Sequence, residues 1–202
     1  MRSDRDLVQI LDTALAEAAH RSGSWLLCRP GCSECCIGPF PITQLDARRL
    51  REGLAELELR DPQRALRVRR RAREAVLRMP DYPGDPLTGL LDDSSEAEDR
   101  FNALAEEDPC PALDPGTGTC DLYAARPVTC RTFGPAVRWG PMMLGVCQLC
   151  YRDATEEEIA ACAVEVNAED LEAELVSGEE RISGVQGETI VAFALCGECL
   201  LS

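Results

Sequence analysis

Four cysteines crowd into nine residues near the start of the chain, in the run Cys28-x-x-x-Cys32-x-x-Cys35-Cys36, and the 202 residues hold twelve cysteines altogether. A single cysteine is often a small buried hydrophobe, but burial does not explain such a run. A chain of this length can bury a core without disulfides, and it shows no secretory signal and no membrane-spanning apolar run. We therefore expect a cytoplasmic protein whose thiols stay reduced and bind metal.

The remaining pattern is mostly helical. Apolar spacing and capping residues predict helices, which cover residues 5–20, 43–59, 61–78, 94–107 and 155–176. Two cysteine segments, 24–42 and 108–151, are rich in glycine, proline and short strand candidates. We expect a mainly α fold with short β-hairpins, built as a small single domain organised around a cysteine metal cluster.

The domain organisation follows from the position of the cysteines. We expect one domain over 1–202, in which residues 25–150 form the cysteine-cluster core. Residues 43–107 are a helical insertion into that core. Residues 151–202 are a helical C-terminal extension that ends in the Cys-x-x-Cys tail, Cys196-Gly-Glu-Cys199.

Charge is divided unevenly along the chain. Residues 1–80 carry a net charge of +4 and residues 81–202 a net charge of −19, and every basic residue is an arginine. The acidic part argues against nucleic acid as a partner, because phosphate binding needs a basic face. The arginine-rich helix over residues 61–78 can dock nucleic acid or an acidic partner, or it can be a solvated face that pairs with the acidic part of the same chain, and we favour the last interpretation.

Thiolates that converge select zinc, copper(I) or iron–sulfur clusters over magnesium and calcium. The only histidine, His20, lies in the first predicted helix and is not an expected ligand. Any site is then mostly or wholly sulfur. Such a site suits structural zinc or an iron–sulfur cluster, and the spacing does not separate the two.

Two local arguments suggest how the thiols meet. If residues 110–120 fold as a hairpin, Cys110 and Cys120 face each other across two strands, with β-carbons ~5 Å apart. Neighbouring side chains in extended backbone point to opposite faces, so Cys35 and Cys36 are expected to serve two metal positions.

Arginines stand beside several cysteines, at Arg29, Arg126 and Arg131. Their guanidinium groups can offset the negative charge of a thiolate site. For Arg126, stacking on Tyr123 is the alternative role.

The order and spacing of the cysteines, with the residues beside them, resemble the pattern of a known family. The first run, then Cys110-Pro, then Cys120-x-Leu-Tyr-x-x-Arg-Pro-x-x-Cys130-Arg131, then Cys147, is similar to the YkgJ-type cysteine-cluster proteins. These are described as zinc- or iron-chelating domains, and the resemblance covers roughly residues 25–150. It implies metal chelation through eight shared cysteines and no settled reaction. A flagellin lysine methylase carries a similar pattern, so the family includes an enzyme.

We expect the shared cysteines to form one compact group, with either Cys147 or Cys150 matching the last of them. Cys162, in a helical pattern, is expected in the core. The Cys147/Cys150 and Cys196/Cys199 pairs can close a second, tail site. The predicted metal ligands are Cys28, Cys32, Cys35, Cys36, Cys110, Cys120, Cys130, Cys147, Cys150, Cys196 and Cys199.

The sequence thus favours a metal-binding protein that chelates zinc or iron, with an iron–sulfur cluster as one form of that iron. Its partner is a metal ion, with neither nucleic acid nor membrane, and no protein partner is indicated. We expect binding and no catalysis. Two alternatives stay open, a metal-dependent protein-modifying enzyme related to flagellin lysine methylase and a thiol redox protein.

Overall fold

The structure, a computed structural model, describes residues 2–29, 31–104 and 107–197. Its regular structure is mainly α-helical with strands of two or three residues, as the sequence predicts. The helices are α1 (Asp4–Ser22), α2 (Gln44–Arg60), α3 (Pro62–Leu77), α4 (Ser95–Asn102), α5 (Val128–Thr132), α6 (Glu156–Cys162), α7 (Glu169–Ser183) and α8 (Val191–Cys196). The strands are β1 (Pro41–Ile42), β2 (Leu113–Asp114), β3 (Thr119–Cys120), β4 (Val137–Trp139), β5 (Met142–Met143), β6 (Val164–Val166) and β7 (Thr189–Ile190). No described helix is long and apolar enough to cross a bilayer.

The chain divides into two compact units, and each is discontinuous in sequence. Unit one comprises residues 1–30 and 128–179, and unit two comprises residues 31–127 and 180–202. The boundary at residue 30 falls inside the first cysteine run. The single domain with a core over 25–150, an insertion over 43–107 and an extension over 151–202 remains a prediction.

Unit one is built on α1. Leu7, Leu11 and Ala18 recur on one stripe of this helix and are fully buried. The helix packs against β6, α5 and α6. The strands of this unit form a three-stranded sheet in the order β5-β4-β6, with β4 antiparallel to β5 and parallel to β6.

The predicted helix over residues 155–176 is wrong in its middle. Its start is correct, since Thr155 caps α6 and forms the expected capping box with Glu158. The helix then ends at Cys162, and Val164–Val166 form β6 beside β4. Val164 and Val166 are buried and Glu165 is exposed, a period-two pattern that a strand satisfies and a helix does not. Pairing with the distant β4 therefore decides the local structure.

Unit two is a packed group of helices. α2, α3 and α8 contact one another pairwise, and small residues on α3, such as Ala72 and Ala75, are buried where α2 and α8 pack. Both predicted helix starts are confirmed, because Thr43 and Asp61 accept hydrogen bonds from the backbone N–H groups three residues on. β1 pairs with β7, and β2 pairs with β3 as an antiparallel hairpin.

Three arginines on α3 or directly after it pair with the acidic part of the chain, whereas Arg69 and Arg70 pair with Glu58 and Glu74 of residues 1–80. Arg64 and Arg71 both bind the buried carboxylate of Asp121, and Arg78 binds Asp108 at 2.8 Å. These ion pairs fix the β2–β3 hairpin and its flanks against α3.

Candidate metal centre

Nine of the eleven cysteines that the sequence predicts as ligands form no disulfide in the part of the chain that the structure describes. With Cys162, ten described cysteines carry thiols. They are Cys28, Cys32, Cys35, Cys36, Cys110, Cys120, Cys130, Cys147, Cys150 and Cys162. Free thiols can ionise to the thiolates that bind zinc or iron.

Three of them meet in unit one, and we call Cys28, Cys147 and Cys150 the Cys28 group. The Cys28 and Cys150 sulfurs are 3.9 Å apart, close to the ~3.8 Å edge of a zinc–thiolate tetrahedron with 2.3 Å bonds. Cys147 and Cys150 lie on one tight turn, in which the Cys150 N–H donates to the Cys147 carbonyl at 2.8 Å. Burial and the neighbouring Cys150 raise the pKa of the Cys147 thiol.

A glycine allows the close approach at Cys28. Gly134 has a φ of +119°, and a β-carbon at this position would lie 3.1 Å from the Cys28 sulfur. Both the conformation and the contact therefore favour glycine. Ala136, two residues later, is buried in the same core as Cys147 and Cys150.

Four more thiols meet in unit two, and we call Cys35, Cys36, Cys110 and Cys120 the Cys35 group. Cys35 and Cys36 are hydrogen-bonded to each other through their side chains. Cys110 and Cys120 lie close enough to contribute to the raised pKa of Cys36. The two segments are also joined through the backbone, because the Cys110 N–H donates to the Cys36 carbonyl at 2.7 Å. The first and second cysteine segments thus converge in this unit.

The ionisation of these thiols is uneven. The hydrogen bond from Cys36, with help from the Arg126 charge, lowers the pKa of Cys35 to about 6. The same hydrogen bond and burial raise the pKa of Cys36. Burial raises the pKa of Cys110 to about 12, and it also raises the pKa of Cys120. One thiolate therefore stands among neutral thiols in the metal-free protein.

Arg126 stacks on Tyr123, one of the two roles considered for it. Its guanidinium lies 4.0 Å from the centre of the Tyr123 ring, and it also donates to the Tyr123 carbonyl at 3.0 Å. Its charge favours the ionised form of Cys35 and opposes the larger effect of burial on the pKa of Cys120. Offsetting the charge of a metal-bound thiolate site stays a prediction. Gly53 on α2 permits the arrangement, because a β-carbon there would lie only 2.4 Å from that of Ala125. Arg131, in unit one, is buried and bound to Asp12 at 2.6 Å.

The extended backbone predicted for Cys35 and Cys36 is wrong. Residues Glu34–Cys36 form a turn of 3₁₀ helix, with the Cys36 N–H donating to the Ser33 carbonyl at 2.8 Å. The two thiols bond to each other and do not point to opposite faces. The expectation that the two thiols serve two metal positions thereby loses its geometric argument and stays a prediction.

The register predicted for Cys110 and Cys120 is also wrong. The hairpin forms around residues 115–118, but Leu113 stands opposite Cys120. Cys110 lies one turn earlier, with its carbonyl accepting from the Leu113 N–H at 2.9 Å. The Cys120 charge still contributes to the raised pKa of Cys110, so the two thiols belong to one group without facing each other across the strands.

The other cysteines have different surroundings. Cys32 in unit two and Cys130 on α5 are half-buried and form no disulfide. Cys162 is buried at the end of α6 in the core of unit one, as predicted, and lies 3.6 Å from the Arg21 carbonyl. Cys196 is buried in the core of unit two and is disulfide-bonded, a state that offers no thiolate. Cys199 lies outside the described residues, so the tail site remains a prediction.

A complete coordination sphere is not preformed. Within residues 2–29, 31–104 and 107–197, no three histidine, cysteine, aspartate or glutamate side chains stand close enough to hold a metal ion. The donors nevertheless fit zinc or iron, since they are clustered thiols and one pair already has the spacing of zinc ligands.

Sequence reasoning missed the groups that support the thiols. Gly53, Gly134 and the buried pair of Ser22 and Tyr151 carry no motif of their own. The only sequence signal is adjacency, because Tyr151 directly follows Cys150. Their roles depend on contacts between segments that are distant in the chain.

Comparison with known families agrees with this geometry. The model of the CxxCxxCC family, described as "Putative zinc- or iron-chelating domain", matches residues 27–163. The chain belongs to this family. The ten cysteines from Cys28 to Cys162 lie within the matched region, and Cys196 and Cys199 lie beyond it. No curated protein and no solved structure matches the chain. Metal binding through clustered cysteines is thus the shared character of this CxxCxxCC protein and its family.

Proposed function

We propose that this protein chelates zinc or iron in the cytoplasm, through thiolates of the Cys28 group and the Cys35 group. The observation that supports it most directly is the 3.9 Å distance between the thiol sulfurs of Cys28 and Cys150. Cys32 and Cys130 are the remaining candidates to complete the two sets. An all-sulfur donor set suits tetrahedral zinc or an iron–sulfur cluster.

Binding would proceed by exchange of protons for metal. The Cys35 pKa of about 6 means that this thiol is ionised at neutral pH and can make the first bond. Cys36, Cys110 and Cys147 have raised pKa values, so a metal ion must displace their protons. Arg126 would offset part of the negative charge that accumulates in the Cys35 group.

The first test is the metal content of the protein purified without oxygen. We expect zinc or iron bound to the protein, measured by plasma mass spectrometry. Acid-labile sulfide and a visible spectrum would separate an iron–sulfur cluster from single metal ions. Protein that carries neither metal and takes up neither on reconstitution would contradict the proposal.

Single substitutions test the assignment of ligands. Cys28→Ser and Cys35→Ser should each lower the metal content, because each removes a thiolate from one group. Cys162→Ser is the matched control, since Cys162 is a buried free thiol of the core that belongs to neither group. Equal metal loss in all three variants would show that destabilisation, and not ligand removal, causes it.

A thiol redox role is the second candidate, and the observation that favours it is the low pKa of Cys35 beside the Cys36 thiol. A protein that contains no metal but whose Cys35 oxidises reversibly would support this role over chelation.

A further inference from the structure

Tyr151, the residue after Cys150, has an uncommon backbone conformation. Its φ is 55°, in the left-handed region that residues with a β-carbon seldom adopt. The surrounding structure must hold it there, because the conformation is unfavourable by itself. The ring of Tyr151 is buried in the core that also contains Cys147 and Cys150.

A chain of hydrogen bonds holds the Tyr151 hydroxyl in place. The Ala136 N–H donates to this oxygen at 2.8 Å, and Ser22 Oγ is its second partner. Ser22 Oγ is also 2.6 Å from the Ala18 carbonyl, which can only accept. Ser22 therefore donates to Ala18, and Tyr151 donates its own hydrogen to Ser22. Each of these buried groups has a partner.

The network joins the segments that carry the thiols of the Cys28 group. Ser22 and Trp25 lie just before Cys28, and the Tyr151 N–H donates to the Trp25 carbonyl at 3.0 Å. Ala136 lies two residues after Gly134, which adjoins the Cys28 sulfur. Tyr151 itself continues directly from Cys150. Through its hydroxyl and its backbone N–H, Tyr151 thus connects the segments that carry Cys28, Gly134 and Cys150, and the Cys28 and Cys150 sulfurs lie 3.9 Å apart.

We infer that Tyr151 is a positioning residue for the Cys28 group, which fixes the spacing of Cys28 and Cys150 and thereby the metal affinity of the group. The inference rests on the proposed function. It also makes a claim about the metal-free protein, because the network holds the two sulfurs together before any metal binds.

The test variant is Tyr151→Phe, which removes the hydroxyl and keeps the ring. Ser22 Oγ then loses a donor, and the buried Ala136 N–H loses its acceptor. Tyr82→Phe is the matched control, because Tyr82 is another buried tyrosine, and its hydroxyl donates to the Gly89 carbonyl of unit two at 2.8 Å. Both variants lose one buried hydroxyl, and we expect a comparable fall in Tm.

Zinc affinity is measured by competition with a chromogenic chelator, with cobalt(II) as a spectroscopic substitute for zinc. We expect Tyr151→Phe to weaken the binding of the Cys28 group by about 10- to 100-fold, the effect typical of groups that orient metal ligands. Tyr82→Phe should bind as the unmodified protein does. Equal affinities in all three proteins, or equal weakening in both variants, would overturn the inference.

A second readout does not depend on metal. A short bifunctional thiol reagent, applied to the metal-free protein, should join Cys28 to Cys150, and peptide mass spectrometry gives the yield. Tyr151→Phe should lower this yield several-fold relative to Tyr82→Phe, and an unchanged yield would overturn the inference. Failure of the unmodified protein to bind zinc or cobalt would refute the proposed function alone, since this readout still tests Tyr151.

Ser22→Ala keeps the inference testable if Tyr151→Phe does not fold. This variant removes the acceptor of the Tyr151 hydroxyl and leaves the tyrosine in place. It should lower both the zinc affinity and the cross-linking yield, each by a smaller factor than Tyr151→Phe does. Unchanged values in a folded Ser22→Ala protein would count against the network.

Discussion

Cys35 and Arg126 show how one residue sets the chemistry of its neighbour. Cys35 is exposed and accepts a hydrogen bond from Cys36, while Arg126, held over the Tyr123 ring, contributes its positive charge. Both effects favour the charged form of the thiol, and together they outweigh its partial burial, which acts in the opposite direction. Cys35 therefore ionises at lower pH than Cys36, Cys110 and Cys120 of the same group, whose pKa values are raised.

This difference predicts the order of alkylation in the metal-free protein. Because the pKa of Cys35 is about 6, the rate of its reaction with iodoacetamide should rise through pH 6 and level off above pH 7. Cys110, with a pKa of about 12, should react far more slowly at those pH values. Peptide mass spectrometry at timed intervals measures both rates.

Arg126→Gln should move the midpoint of the Cys35 profile to higher pH, since loss of the positive charge disfavours the thiolate. Arg60→Gln, a change to an arginine at the end of α2 that bonds to the Glu56 carbonyl, is the control and should leave the midpoint unchanged. A midpoint that stays in place in Arg126→Gln would contradict the electrostatic role of this residue.

At the scale of elements, α3 holds the β2–β3 hairpin through Asp121. Its carboxylate is 1% exposed and pairs with Arg64 and Arg71, and Arg71 also donates to the Pro111 carbonyl at 2.9 Å. The segment that carries Cys110 and Cys120 is therefore fixed by charges on a helix far away in sequence.

Asp121→Asn should destabilise the protein by about 3 kcal/mol, because it leaves two guanidinium groups at a partly buried site without their carboxylate. Urea unfolding of the metal-free protein measures the change. The control is Glu58→Gln. Glu58 on α2 is an exposed partner of Arg69 on α3, and its loss should lower the free energy of unfolding by less than about 1 kcal/mol. Similar losses in the two variants would contradict the anchoring role of Asp121.

The elements that depend on local sequence are the ones that the sequence predicts well. α1, α2 and α3 have continuous apolar stripes, and Thr43 and Asp61 supply their own caps, so their bounds are correct within two residues. The sequence Val164-Glu-Val166 has its own strand pattern, but only pairing with β4 ends the predicted helix at Cys162. Local propensity cannot report a partner that lies 27 residues earlier in the chain, as Val137 does for Val164.

The same distinction applies to the candidate site at the scale of the whole molecule. Spacing and family resemblance identify the cysteines, because pairs of ligands in structural zinc sites often lie two to four residues apart. Their grouping depends on the fold. The first run divides between the two units after Cys28, a turn of 3₁₀ helix joins Cys35 to Cys36, and the hairpin register places Leu113 opposite Cys120. The prediction that eight cysteines form one compact group stays a prediction.

The central claim is that clustered thiolates of this chain hold a zinc or iron ion, and X-ray absorption at the edge of the bound metal tests it most directly. On protein purified without oxygen, we predict a first shell of sulfur, with zinc–sulfur distances of about 2.3 Å if the metal is zinc. A first shell of nitrogen or oxygen at about 2.0–2.1 Å would contradict the account, because it would mean that the metal binds elsewhere than at the cysteines.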